Sequence, residues 1–264
     1  MSASLVSVSS GELVRELISR LHANRPSALA FDADGTLWSG DVGEDVFRFA
    51  VDHGRLREAA RAELERQARN RGFECSSDVN ATAKRLFDAY LDGHYVELEI
   101  CELMTWCYAG HSLSEMADLA SEALAATHHA QRLNEELRPI LEFARDNQLR
   151  TIVVSASPRT TVEVAARAWG FATEDIAAST PRVVSGVIAA AMAEPVPYAA
   201  AKCVAGRALL GGAHWLAAFG DNVFDMDMLR EAEIGVAVRP KPALRARLAE
   251  MPGVRVLDAN FQSS

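Results

Sequence analysis

Positive charge is scarce in this chain. Its 264 residues carry 27 Lys and Arg against 36 Asp and Glu, a formal net charge of −9. A nucleic-acid binder presents a basic surface, so that partner is disfavoured. Anionic small molecules stay open, because a local site can oppose the overall field. Cysteine is sparse too. Cys75, Cys101, Cys107 and Cys203 include no C-x-x-C pair, so neither a zinc ribbon nor a thioredoxin-like site is indicated. They are read as reduced thiols of a cytoplasmic protein. Long apolar runs are missing. The longest, residues 187–193, falls far short of the roughly 20 needed to span a bilayer, so no membrane partner is expected. Residues 1–11 hold no basic region followed by an apolar stretch, and no secretory signal is read there. Repeats and low-complexity segments are also absent. What remains is 49% apolar and 24% charged, the balance of a globular chain with a buried core. The length suits one large domain, or a core with a smaller second unit.

Four short apolar runs end at turn or polar residues. Ala28, Leu29, Ala30 and Phe31 stop abruptly at Asp32, Ala33, Asp34 and Gly35. Residues 151–154 end at Ser155, residues 215–219 at Gly220 and Asp221, and residues 234–238 form the last run. Helical periodicity marks residues 12–22, 135–147, 160–169, 198–210 and 226–231. Strands alternating with helices imply an α/β fold with a doubly wound parallel sheet. Residues 183–188, centred on Ser185 and Gly186, read as a small hairpin. Residues 39–129 differ. They offer no convincing strand, and helical spacing recurs over 52–71, 81–91, 96–108 and 114–126, with Ser112 and Glu115 as a capping box. The expected organisation is a catalytic core of residues 1–38 and 130–264 with an inserted α-helical cap, residues 39–129. Gly40 and Gly43 at the cap entry suit a hinge.

Ligands of an open parallel sheet bind outside the carboxyl ends of its strands. Three such ends present Asp32 with Asp34, Ser155, and Asp221, and a nearby helix presents Lys202. Converging carboxylates repel unless a cation lies between them, and an oxygen-only ligand set suits Mg2+. Lys202 and Ser155 would supply charge and a hydrogen bond to a phosphoryl group. Asp32 is available as a nucleophile. Asp34 is close enough to protonate a leaving oxygen and later deprotonate water.

These residues resemble the haloacid dehalogenase superfamily. Asp32-Ala33-Asp34-Gly35-Thr36-Leu37 is similar to its first motif, D-x-D-G-T in the phosphatases. Val153-Val154-Ser155-Ala156-Ser157 is similar to the second, Lys202 to the third, and Gly220-Asp221-Asn222-Val223-Phe224-Asp225 to the fourth, G-D-x-x-x-D. The helical insertion resembles the cap of the phosphoserine phosphatase-like branch, although Ser-Ala-Ser stands where Ser-Gly-Gly is common there. The resemblance implies a Rossmann-like core and a Mg2+-dependent phosphomonoester phosphatase that forms a covalent aspartyl-phosphate on a small phosphorylated metabolite. Asp32 would be nucleophile and metal ligand. Asp34 would be general acid/base, with its main-chain carbonyl a second ligand, and Asp221 the third. Asp225 would orient Lys202 or a metal-bound water. Ser155, the amide of Ala156 and Lys202 would hold the phosphoryl oxygens. An acid at position 34 separates phosphatases from dehalogenase members.

Other readings are weaker. A calcium EF-hand counted from Asp32 would place Thr36, Leu37 and Gly43 at positions five, six and twelve, and the loop fails that pattern. A phospho-aspartate signalling receiver needs neither Asp34 nor so large an insertion. A phosphotransferase of the same superfamily would use the same residues as a hydrolase. Arg55, Arg57, Arg61, Arg66, Arg69 and Arg71 read as a solvated helix face with Glu65 among their i,i+4 partners. Asp41 and Glu44 fit either leaving-group contact or a hinge, Trp38 either the mouth of the site or the core, and His128 and His129 a surface role.

Overall fold

The computed structural model describes residues 6–21 and 25–258. In chain order its elements are β1 (Val6–Val8), α1 (Ser10–Arg20), β2 (Ser27–Phe31), α2 (Val42–Asp52), α3 (Arg61–Asn70), α4 (Val79–Leu91), α5 (Glu97–Trp106), α6 (Leu113–Ala126), α7 (Arg138–Asp146), β3 (Arg150–Pro158), α8 (Arg159–Ala166), β4 (Ile176–Ser179), β5 (Pro181–Val184), β6 (Val187–Met192), α9 (Ala200–Leu210), β7 (His214–Gly220), α10 (Met226–Glu231), β8 (Ile234–Val238), α11 (Pro242–Arg247) and β9 (Arg255–Leu257). Seven strands form one sheet in the order β1-β9-β8-β7-β2-β3-β4, and every pairing in it is parallel. From β2 the chain goes one way to β3 and returns on the other side as β7. That reversal of strand order opens a crevice at their carboxyl ends.

The pleat sends alternate residues of β2 to opposite faces. Leu29 and Phe31 join the larger apolar cluster, under α1, α7, α8 and the inserted helices. Ala28 and Ala30 join the smaller one, under α9, α10 and α11. All four are fully buried, which explains why β2 reads as a continuous apolar run rather than an alternating one. Phe31 stacks on Phe219 of β7 with ring centroids 4.4 Å apart.

Helices α2 to α6 fill the interval between β2 and β3. The expected single helix over 52–71 is two. Helix α2 begins ten residues earlier than expected, at Val42, where Asp41 Oδ1 accepts from the Glu44 amide at 2.8 Å. It ends at Asp52, and Gly54 just beyond takes φ +62° while the Arg55 amide donates back to Ala50 O at 2.8 Å. The capping box at Ser112 and Glu115 is present. The hairpin β5–β6 turns through Ser185 and Gly186, both at positive φ, as a two-residue turn requires. Its second strand reaches the inserted helices, with mutual backbone bonds of 2.8 Å between Ile188 and residues 110–111. His22, the expected end of the first helix, lies outside the described residues. His129 departs from its surface reading: it is 6% exposed and packs edge-on to Trp38, which is fully buried.

Candidate active site

Each carboxyl end of β2, β3 and β7 delivers one part of a cleft. The Asp32 amide donates to Phe219 O at 2.9 Å, so the β2 ladder carries the first aspartate directly beyond the strand. The chain then turns through Gly35 at φ +83°, where a Cβ would lie 2.0 Å from Asp221 Oδ2. Only glycine permits that approach, so Gly35 brings the loops after β2 and β7 together. Asn134 holds the same turn by donating to Gly35 O at 3.2 Å and to Thr36 O at 2.7 Å. Gly220 does the equivalent at the end of β7, where a Cβ would meet Asp225 Cβ at 2.5 Å.

Lys202 sits between two carboxylates, 2.5 Å from Asp32 Oδ1 and 2.5 Å from Asp225 Oδ1. All three are buried, with Lys202 4% exposed. The other oxygen of Asp225 accepts from the amides of Asp221 at 3.0 Å and Asn222 at 2.9 Å. Burial penalises the Lys202 ammonium, but Asp225 and Asp32 outweigh that and hold its pKa above the ordinary lysine value. Lysine reaches this position from the first turn of α9. The residue before that helix, Ala199, adopts φ +49° and ψ −124°, a strained conformation for a residue with a Cβ.

Asp34 is oriented by three donors. Trp38 Nε1 and the Val42 amide each donate to Oδ1 at 2.8 Å, and Ser157 Oγ donates to Oδ2 at 2.6 Å. Ser155 Oγ accepts from the Ser157 amide at 3.1 Å and is 1% exposed. Asp32, Asp34, Ser155, Ala156, Lys202 and Asp221 all line one cleft of about 70 Å³, and Asp225 lies directly behind it. The structure therefore brings the predicted residues together. Further lining groups were given no role by the sequence reading. Ser157 shares a strand face with Ser155, a period-two signal that was available. Lys241, just before α11, lies 3.0 Å from Asp221 Oδ2. Glu97 and Tyr198 carry no motif at all.

Asp32, Asp221 and Asp225 present oxygens within 4.8 Å of one another. Burial raises the Asp32 pKa well above the carboxylate range, Asp225 and Asp221 push the same way, and Lys202 opposes them. Burial also lifts Asp221 to about 6, against Lys241. Asp221 Oδ1 is buried without a hydrogen-bond partner. A buried, unpartnered carboxylate oxygen beside a second acid is a donor set short of positive charge, and it fits a hard divalent cation. Asp225 fits that role less well, because both its oxygens are already engaged.

A family model of haloacid dehalogenase-like hydrolases matches residues 29–230, from within β2 to within α10. The chain belongs to that family. No curated protein matches it in sequence. A protein of unknown function from Bordetella pertussis shares its fold with a TM-score of 0.69 at 21% identity, over 89% of this chain and 100% of that one. A HAD family hydrolase from Salmonella enterica serovar Typhi matches at 0.55 and 15%, over 94% and 75%. A phosphoserine phosphatase solved as a phospho-aspartyl intermediate analogue matches at 0.50 and 13%, over 90% and 96%. In this member of a hydrolase family, the four motif segments converge on one cleft.

Proposed function

We propose that this enzyme is a Mg2+-dependent phosphomonoester phosphatase working through a covalent phosphate on Asp32. The observation that carries the reading is the second acid. Asp34 lines the same cleft as Asp32, Ser155 and Lys202, with its carboxylate oriented by three donors. A nucleophile alone can form an acyl-phosphate, but fast release of the alcohol and fast hydrolysis need an acid and a base.

In the first half-reaction an Asp32 oxygen attacks phosphorus in line. The new O–P bond forms as the bond to the leaving oxygen breaks, and that oxygen takes a proton from Asp34 Oδ2. Ser157, whose hydroxyl donates to Oδ2 in the ionised form, accepts from it when Asp34 is protonated. In the second half-reaction Asp34 removes a proton from water. The water oxygen attacks phosphorus, the bond to Asp32 breaks, and inorganic phosphate leaves. Ser155, the Ala156 amide and Lys202 hold the phosphoryl oxygens, and Asp225 keeps Lys202 aimed at Asp32. Asp32, Asp221 and the Asp34 carbonyl would hold Mg2+, which when bound neutralises developing charge on the phosphoryl group.

Residues 39–129 act in this reading as a cap over a core of residues 1–38 and 130–264, and exclude bulk water on closing. Four free thiols fit a reducing cytoplasm. The test is release of inorganic phosphate from a panel of phosphate esters, with and without Mg2+. Release that stops in chelator and returns with Mg2+ is expected. No release from any ester, an activated aryl phosphate included, would overturn the reading.

A further inference from the structure

Resting on that phosphatase reading, we infer that the leaving group is a small alcohol bearing an ammonium group and no carboxylate. The first observation is the charge of the cleft. Five carboxylates line it against two lysines, Lys202 and Lys241, and no arginine lines it among the described residues. Both lysines are engaged, Lys202 with Asp32 and Asp225 and Lys241 with Asp221. Among the described residues, every cation lining the cleft thus already has an acidic partner, and the acids outnumber the cations.

The second observation is what the remaining acids do. Asp32, Asp34 and Asp221 belong to the reacting end. Asp41 and Glu97 come from the inserted segment. Asp41 uses Oδ1 to cap α2, with the Glu44 amide at 2.8 Å. Glu97 opens α5, and its side chain makes no hydrogen bond or ion pair among the described residues. One turn later on the same helix face, Cys101 also lines the cleft. Its position at a helix start favours a carboxylate there without any ligand, yet a surface acid would suffice for that. Here burial raises the Glu97 pKa despite Lys241 and Lys202, so the charge is held in a partly desolvated wall without a partner of its own.

The third observation is aromatic. Tyr198 and Phe224, rings 4.4 Å apart, line the cleft from the core side. Aromatic faces and carboxylates together accommodate an ammonium group. The cleft between these elements is narrow, about 70 Å³, which favours a compact leaving group.

The experiment compares kcat/KM for 2-aminoethyl phosphate, neutral n-propyl phosphate, O-phosphoserine and an aryl phosphate. About tenfold or greater preference for the aminoethyl over the propyl ester is expected, with phosphoserine below the aminoethyl ester because the cations lining the cleft already have acidic partners. Glu97→Gln should shrink the aminoethyl-to-propyl ratio, whereas a merely structural role for Glu97 would lower both esters by the same factor. Turnover of the aryl phosphate with equal rates for the aminoethyl and propyl esters, or with phosphoserine preferred, would overturn this inference and leave the phosphatase reading standing. Failure of every ester would remove both. The wild-type ratio decides the matter even if the Glu97 variant does not fold.

Discussion

Replacing Asp225 with Asn tests the buried charge network most severely. The side chain is fully buried and binds Lys202 through one oxygen and two backbone amides through the other. Asn keeps the shape but has a single acceptor oxygen. If that oxygen serves the Asp221 and Asn222 amides, the NH2 group faces the Lys202 ammonium, donor against donor. If it serves Lys202, the buried Asp221 amide and the part-buried Asn222 amide lose their partner, at about 1–3 kcal/mol for the buried one. Breaking a buried ion pair by removing one member costs about 3–5 kcal/mol. Lys202 retains Asp32, which points to the lower end, about 3 kcal/mol. Against a total stability of about 5–15 kcal/mol, the variant should fold and unfold at lower urea with an unchanged m-value. Asp225→Asn combined with Lys202→Met should cost less than the two single changes together, because the double variant leaves fewer unpaired charges. A single-variant cost below about 1 kcal/mol, or additivity within about 0.5 kcal/mol, would refute the network as described.

Three more outcomes follow from particular residues. Gly35→Ala should abolish phosphate release in a protein that still folds, because the new Cβ would displace the Asp221 carboxylate; retained activity would show that the approach of the two loops is not required. Ala199→Gly should raise stability by about 1 kcal/mol in urea titration by relieving a conformation glycine adopts freely, and a loss would contradict the strain. Burial lowers the pKa of His111 and of His129, each also bonded to a backbone carbonyl. The folded state thus binds fewer protons than the unfolded one below the ordinary histidine pKa near 6.5. Stability should be full above that value and fall as pH drops through it toward the lowered folded values; a thermal midpoint that does not fall between pH 7.5 and 5.5 in wild type, or that falls equally in His111→Gln/His129→Gln, would contradict this.

The sheet was legible in the sequence where burial on both faces makes strands continuously apolar. Runs 28–31, 215–219 and 234–238 lie within β2, β7 and β8. Strands β1 and β9, three residues each, and the four-residue β4 were not legible. Such short pieces carry too little periodicity, and it is the parallel pairing of β9 with β8 and β1 that defines them. Helix α2 was missed because its apolar residues follow a glycine-rich entry, although Asp41 was a readable cap. Within the site, motif spacing located Asp32, Asp34, Ser155 and Asp221 at the strand ends. Glu97 and Tyr198 were invisible because only tertiary packing brings α5 and the segment before α9 to the cleft. Trp38 was ambiguous because an indole that packs in the core and also donates to Asp34 serves both roles at once.

The central claim is that Asp32 carries phosphate during turnover. The most direct measurement is acid quench of the enzyme turning over an aryl phosphate, followed by peptide mapping by mass spectrometry. A phosphoryl group on Asp32 that disappears on chasing with unlabelled buffer, and that never forms in a folded Asp32→Asn variant, is the predicted result. Phosphate release at full rate by Asp32→Asn, or a phosphoryl group found on another residue, would contradict the account.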